Sequence, residues 1–566
     1  MSAARLPAPP PPRFVELFTP KLVTVLREGY GLTEFRRDAI AGMTVAIVAL
    51  PLSMAIAIAS GVSPDRGLYT AIVGGFLVSM FGGSRFQIGG PAGAFIVLVA
   101  ATVQLHGIDG LILATMLSGV MLAGLGLLRL GSFVKFIPYP VTVGFTAGIA
   151  VIIFASQIGD LFGLSLEGRP PADLLPKLEA LFAAAGTVSP SATAIAIATI
   201  AIILLLRRFR PGWPGLLIAV AVAALAAAVL ALPVATIGTA FGGIPRALPV
   251  PALPDISLDK VLAVLPAALS FTLLGAIESL LSAVVADGMS GRRHRSDCEL
   301  VAQGIANVGS ALFGGFCVTG TIARTATNVR SGAHGPVSGM LHAVFLLAFM
   351  LVAAPLAAYI PLAALAGVLA VVSFNMVEWP ALRALLRSSR GDAAVVVITF
   401  LLVIFRDITA GIVVGTALGA VLFISRLSRE ASLEATAIGG PADAADHASA
   451  YDAAGTADPH IVVYRLSGAF FFGSAATVSA ALDRIGDPRT AFVLDLSDVP
   501  LLDSSAANVV EMAALKARRR GIAYFVAGAR PAVRRTLLAH GVRPPLVRYS
   551  TSVEHARRRA ERIPAK

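Results

Sequence analysis

Runs of about 20 apolar residues, the length that carries a helix across a bilayer, recur in this chain from about residue 39 to about residue 425. "AIAGMTVAIVALPLSMAIAIAS", "DGLILATMLSGVMLAGLGLL" and "GLLIAVAVAALAAAVLALPVA" are three of them. No water-soluble core buries so many segments of this kind, and the composition agrees. Of 566 residues 56% are hydrophobic and 14% charged, with a mean hydropathy of +0.82, whereas a soluble domain has roughly 25% charged residues. The chain is a polytopic α-helical membrane protein. Counting the apolar blocks predicts about twelve to fourteen crossings, because short and broken segments blur the tally.

A formal charge of +12 invites a nucleic-acid partner. The basic residues sit instead in short loops beside the spans, as in "LLRRFRPGW" and "SGRRHRSD" and at Arg36 and Arg37 before the first span. Lys and Arg in such places hold span ends on the cytoplasmic side, so no nucleic acid is expected. Arg27, Arg36 and Arg37 place the N-terminus inside, and the basic "KARRRG" and "HARRRAERI" place the C-terminal region there too. Both ends inside require an even number of crossings. The start, "MSAARLPAPPPPRF", is Pro-rich and lacks the apolar stretch of a secretory signal; residues 1–30 read as a cytoplasmic leader. Cys298 and Cys317 cannot make a disulfide framework and read as small buried hydrophobes. No GxxxxGK[ST] occurs, which removes ATP-driven transport by a P-loop. No enzyme activity, cofactor or metal is expected.

After a transmembrane region over 31–428 the character changes. Residues 429–459 are Ala-, Asp- and Gly-rich without periodicity and read as a linker. From 460 to 566 the pattern is that of a small α/β domain. "IVVYRL", "TAFVLDL" and "IAYFVAG" read as strands, while "SAATVSAALDRI", "SSAANVVEMAALKARRR" and "PAVRRTLLAHG" have helical spacing. Their alternation predicts a mostly parallel sheet covered by helices.

Two interrupted segments stand apart from the ordinary spans. "GGFCVTGTIARTATNVRSGAHGP" places Arg324 among oily neighbours, and only about ten residues run from Thr321 to the break at "SGAHGP", half of the roughly 20 a full span needs. "GGSRFQIGGPAGAFIVLVAATVQL" is broken by Gly89, Gly90 and Pro91, and Pro91 suits the first turn of a helix. Such a pair in the two halves of a transporter points to a midplane binding site. If their N-termini face each other, free backbone N–H groups and positive dipole ends converge on one spot, which attracts anions. Arg324 reinforces it. Two alternatives stay open: close helix packing through Gly, and Arg324 as structural partner of an acid.

Glu278 is the other intramembrane charge, in "LPAALSFTLLGAIESLLSAVVADG". It is paired with Arg324, protonated, or in a watery cavity. Ser282 shares its helical face. Asp287 reads as interfacial, Arg406 and Asp407 as a membrane-surface turn, and His334 and His342 as structural.

"DAIAGMTVAIVALPLSMAIAIASGVSPDRGLYTAIVGGF", "GSFVKFIPYPVTVGFTAGIAVIIFASQI" and "GAIESLLSAVVADGMSGRRHRSDCELVAQGIANVGSALFGGF" resemble the SulP sulfate-permease family. "DLSDVPLLDSSAANVV" resembles a STAS domain. The resemblance implies fourteen segments in two inverted repeats of seven, arranged as core and gate domains. It also implies a homodimer and an anion site between the third and tenth segments. Here those begin at Gly90, Pro91, Ala92 and Gly93, and at Gly320, Thr321, Ile322, Ala323 and Arg324. Ala92 stands where many relatives have Thr and Ala323 where prestin-like members have Ser, so the site leans on backbone N–H groups and Thr321. Ser505 matches the phosphorylated position of stand-alone STAS proteins; the reading from the residues alone is that a serine there is a helix N-cap.

These readings converge on secondary active transport of an inorganic anion by alternating access, and the family resemblance makes sulfate the leading substrate. Bicarbonate, chloride exchange and C4-dicarboxylates stay open, and so do a channel-like uniporter and a membrane-tethered sensor whose STAS domain binds a protein partner. Glu278 and Ser282 are the candidate ion-coupling residues, with H⁺ preferred over Na⁺ as coupling ion. The expected location is a bacterial inner membrane.

Overall fold

The computed structural model describes residues 14–131, 138–166, 171, 174–210, 213–406, 408–430, 432–435, 461–471 and 491–562. Asp407, the helix expected at 474–485, the first thirteen residues of the leader and most of the linker lie outside them. The chain divides into two compact units, Met1–Ala417 and Leu418–Lys566.

The first unit is helical. Its first half runs α1 (Leu32–Ala59), α2 (64–81, with a π turn over Thr70–Gly74), α3 (Ile96–Leu127), α4 (Tyr139–Phe162), α5 (Pro190–Phe209) and α6 (Gly215–Val229). Gly107, at φ 69°, breaks α3 into two segments. The second half runs α7 (Leu258–Ser290), α8 (Ser296–Leu312), α9 (Ile322–Arg330), α10 (Val337–Ala357), α11 (Leu362–Met376), α12 (Arg390–Phe405) and α13 (Ile408–Glu430), the boundary between the units falling within α13. Among the described residues, 8 helices are individually long and apolar enough to cross a membrane. With the two parts of α3 counted separately and the short segments included, each half holds seven. An odd number makes the second half enter from the opposite face, which is what an inverted repeat requires.

Packing sorts these helices into two bundles. α1 lies on α10, and α3 on α7 and α8, while α4 lies on α11 and α12, and α5 on α6 and α11. Small residues set the closest approach, as expected where lipid supplies no hydrophobic drive between helices. A β-carbon on Gly304 of α8 would stand 2.5 Å from the carbonyl oxygen of Gly119 on α3, and one on Gly119 would stand 2.7 Å from that of Gly304. Both cysteines are free and buried, as small hydrophobes would be.

The second unit carries a five-stranded sheet of β3 (Ser432–Ala435), β4 (Ile461–Ser467), β5 (Ala491–Asp495), β6 (Ala523–Ala527) and β7 (Arg548–Ser550), in that order. β4 to β7 pair in parallel. Every residue of the central β5 is buried, as a strand covered on both faces must be. α14 (Ser504–Arg519), α15 (Pro531–Ala539) and α16 (Val553–Ala560) supply cover. Two elements differ from expectation. β3 lies within the stretch read as a linker, where it pairs antiparallel with the open edge of β4; four residues in an Ala- and Asp-rich run are too few to raise a periodicity. β7 was equally invisible at three residues.

Candidate functional site

The two interrupted segments meet. Gly89–Gly90 forms a short strand, β1, and Thr319–Gly320 another, β2; they pair antiparallel, Gly89 opposite Gly320 and Gly90 opposite Thr319. Thr321 extends the ladder, its N–H donating to Ile88 O at 3.0 Å. Each strand then delivers the chain into a helix. Pro91 and Ala92 lead through a 3₁₀ turn, Gly93–Phe95, into α3, and Thr321 leads into α9. Neither start carries a side-chain cap, so first-turn N–H groups of both helices stay free for a ligand. Two positive dipole ends are thereby held side by side by a two-residue ladder.

Threonines fasten this crossing to α7. Thr325 Oγ1 accepts the N–H of Ile88 at 3.1 Å and the Ser282 hydroxyl at 3.0 Å, and Thr319 Oγ1 donates to Gly275 O at 3.3 Å. Ser282 is fully buried in that bond. Glu278, one turn earlier, is partly exposed, and among the described residues no ion pair joins it to Arg324 or to any other group. Of the three environments open to it from sequence, the paired one is absent.

Arg324 is 1% exposed. Its Nη2 donates to Ser53 Oγ on α1 at 3.2 Å and to Pro91 O at 3.3 Å, while Nε and Nη1 have no protein partner. Nη1 fills the space that a β-carbon on Gly90 would need. The guanidinium is thus tucked behind β1, binding the peptide that starts the first half-helix. In front of the crossing the surface is open: Ile322 is 39% exposed, Ala323 is exposed and Gly93 is partly so. Gly93 faces the second bundle, where a β-carbon would stand 3.2 Å from Ile153 Cδ1 of α4 and 3.7 Å from Met376 Sδ of α11.

Gly90, Pro91, Ala92, Gly93, Gly320, Thr321, Ile322, Ala323 and Arg324 therefore lie together at one crossing. Ser53, Thr325 and Ile153 were not foreseen; a lone hydroxyl or a branched aliphatic in an apolar span carries no distinguishing signal. Chemically the arrangement offers backbone donors with a buried cation behind them, a place for an anion. Among the described residues no cluster of His, Cys, Asp and Glu is built to hold a metal ion.

Comparisons with known proteins bear on the family and the fold. The sulfate permease family model matches residues 35–399, and the STAS domain model matches residues 454–556. The chain is 41% identical over 486 residues to YvdB of Bacillus subtilis, a provisionally named sulfate transporter, covering 85% of this chain and 89% of that one. It is 32% identical over 514 residues to the bicarbonate transporter BicA of Synechocystis, covering 88% and 89%. Among solved structures, the transmembrane domain of a cyanobacterial BicA superposes with a TM-score of 0.63 at 32% identity, covering 68% of this chain and 98% of that one. The murine anion transporter Slc26a9 in its inward-facing state shares the fold at a TM-score of 0.83 and 17% identity, covering 99% and 96%.

Proposed function

This chain belongs to the sulfate permease family, and on that premise we propose that it is a secondary active transporter of a small oxyanion, sulfate foremost, working by alternating access. The observation that carries the reading is the meeting of two uncapped helix ends over the buried Arg324. Such a site selects by charge and size, because backbone N–H groups reach any oxyanion equally. The bundle of α1–α3 and α7–α10 carries the site past the bundle of α4–α6 and α11–α13, as rocking of one body against another allows. Bicarbonate is the second reading, supported by the likeness to BicA in sequence and fold.

Protons are the proposed coupling ion. Among the described residues Glu278 is the carboxylate on the α7 face beside the crossing, and a single carboxylate with the Ser282 hydroxyl makes a poor cage for Na⁺. Arg36 and Arg37 support cytoplasmic termini in a bacterial inner membrane. A homodimer, and a protein partner at the STAS domain near Ser505, complete the proposal.

Uptake into proteoliposomes containing the purified protein tests it. Labelled sulfate should enter saturably, with bicarbonate, chloride and C4-dicarboxylates run as competitors. Sulfate that neither enters nor competes, beside bicarbonate that does, would replace the first reading by the second. A sensor would move none of them.

A further inference from the structure

The later part of the segment read as a leader is built into the bundle that carries the crossing. Its helix Lys21–Glu28 lies against the end of α2, the start of α8 and the turn between α9 and α10. At the near end the Lys21 N–H donates to Gly82 O at 2.9 Å. Arg295 Nη1 donates to Thr19 O at 2.6 Å and to Thr24 Oγ1 at 3.1 Å, and the Arg295 N–H is itself held by Gly83 O at 2.9 Å. Val25 is fully buried; a β-carbon on Gly335 would stand 3.1 Å from its Cγ1. A helix of 8 residues has little stability of its own in water, so these contacts hold it in place.

The far end reaches both interrupted segments. Glu28 pairs with Arg85, whose side chain is 6% exposed. Arg85 stands three residues before Ile88, the residue bonded to Thr321 and Thr325 at the crossing. Tyr30, just past the helix, donates to Asp38 Oδ2 at 2.8 Å. Asp38 Oδ1 accepts the N–H groups of His334 at 2.6 Å and of Gly335 at 3.0 Å, in the turn that follows α9. One short helix thus grips the chain entering the first half-helix and the chain leaving the second. At the crossing itself the strands that join them are two residues long.

We propose that this helix is a clasp that sets the anion affinity of the crossing, with Glu28 and Tyr30 as positioning residues that act through Arg85 and Asp38. Neither touches the anion. They fix the two half-helices from one side, so that a single oxyanion accepts from both uncapped ends, an alignment in which about 1 Å of misplacement is costly. This rests on the anion site proposed above and adds to it the segment that keeps its two halves in register.

Isothermal titration of sulfate, and of bicarbonate in parallel, into the purified full chain tests the clasp, because it reads affinity and the fraction of competent protein separately. Glu28→Gln/Tyr30→Phe should raise Kd about tenfold at unchanged stoichiometry, the effect of losing one half-exposed ion pair and one hydrogen bond to a carboxylate. Glu28→Gln alone should raise it about threefold, and on an Arg85→Gln background it should add nothing, because the pair is then already broken. A Kd unmoved in the double variant overturns the proposal. So does a lower stoichiometry at wild-type Kd, the mark of a helix that serves folding alone. Should the double variant not assemble, the Glu28 and Arg85 cycle decides: a Glu28→Gln effect that is absent, or that persists undiminished beside Arg85→Gln, overturns the clasp. Wild type that binds neither anion overturns the anion site and the clasp with it.

Discussion

Arg324 and Gly90 share one space: the guanidinium Nη1 stands where a β-carbon on Gly90 would stand. The cation can therefore sit directly behind the strand whose far side starts the first half-helix. From there it acts as a fixed field and as a clamp on Pro91 O. Gly90→Ala must displace the guanidinium or the strand. Transport should fall at least about tenfold, a cost of ~1.4 kcal/mol, while the purified protein still elutes as a folded particle. Near wild-type uptake would show that the crossing tolerates a shifted guanidinium.

Arg324 itself should be still less replaceable. Removing the buried charge that backs the crossing costs about 2 kcal/mol or more, so Arg324→Ala should weaken anion affinity at least about thirtyfold. Arg324→Lys keeps the charge and loses the planar fork; an intermediate affinity is expected. Isothermal titration of sulfate into the three proteins reads this directly, and equal affinities would assign the arginine to packing.

Glu278 separates two kinds of coupling. With protons, uptake rises as the outside pH falls and ignores Na⁺. Glu278→Gln then keeps exchange but loses the pH dependence and uphill accumulation. With Na⁺, the same substitution abolishes sodium stimulation instead. Anion and proton affinities should also rise together, because linkage is reciprocal. Uphill, pH-driven uptake surviving in Glu278→Gln would exclude the carboxylate from coupling.

Much of this site could be read in the sequence, because its signals are local. Gly-Gly-Pro at residues 89–91 breaks a span wherever it stands, and an intramembrane arginine is conspicuous without any fold. The direction of the Arg324 side chain was not readable. It depends on the missing β-carbon of Gly90 and on Ser53, 271 residues earlier in the chain. In the second unit, the alternation of strands and helices made the parallel sheet legible, whereas β3 and β7 were too short to show.

The cap of α14 corrects one such local reading. Asp503 Oδ1 accepts the N–H of Ala506 at 2.9 Å, so the aspartate, not a serine, is the N-cap, and Ser505 stands exposed in the first turn. Asp503→Ala should cost about 1 kcal/mol of local stability, read as faster amide hydrogen exchange in α14 of the full chain. Ser505→Ala should stay within about 0.5 kcal/mol. Ser505→Asp should instead stabilise the helix by about 0.3–1 kcal/mol through its dipole. If the alanine and aspartate variants of Ser505 both transport and bind partners as wild type does, the serine is surface and not switch.

Counterflow in proteoliposomes tests the central claim, that one anion site is presented to each side of the membrane in turn. Vesicles loaded with unlabelled sulfate should take up labelled sulfate faster than empty ones and accumulate it transiently above equilibrium, and Arg324→Ala should do neither. Labelled sulfate entering loaded and empty vesicles at the same rate would contradict alternating access, because the site would then not be carried between the two faces.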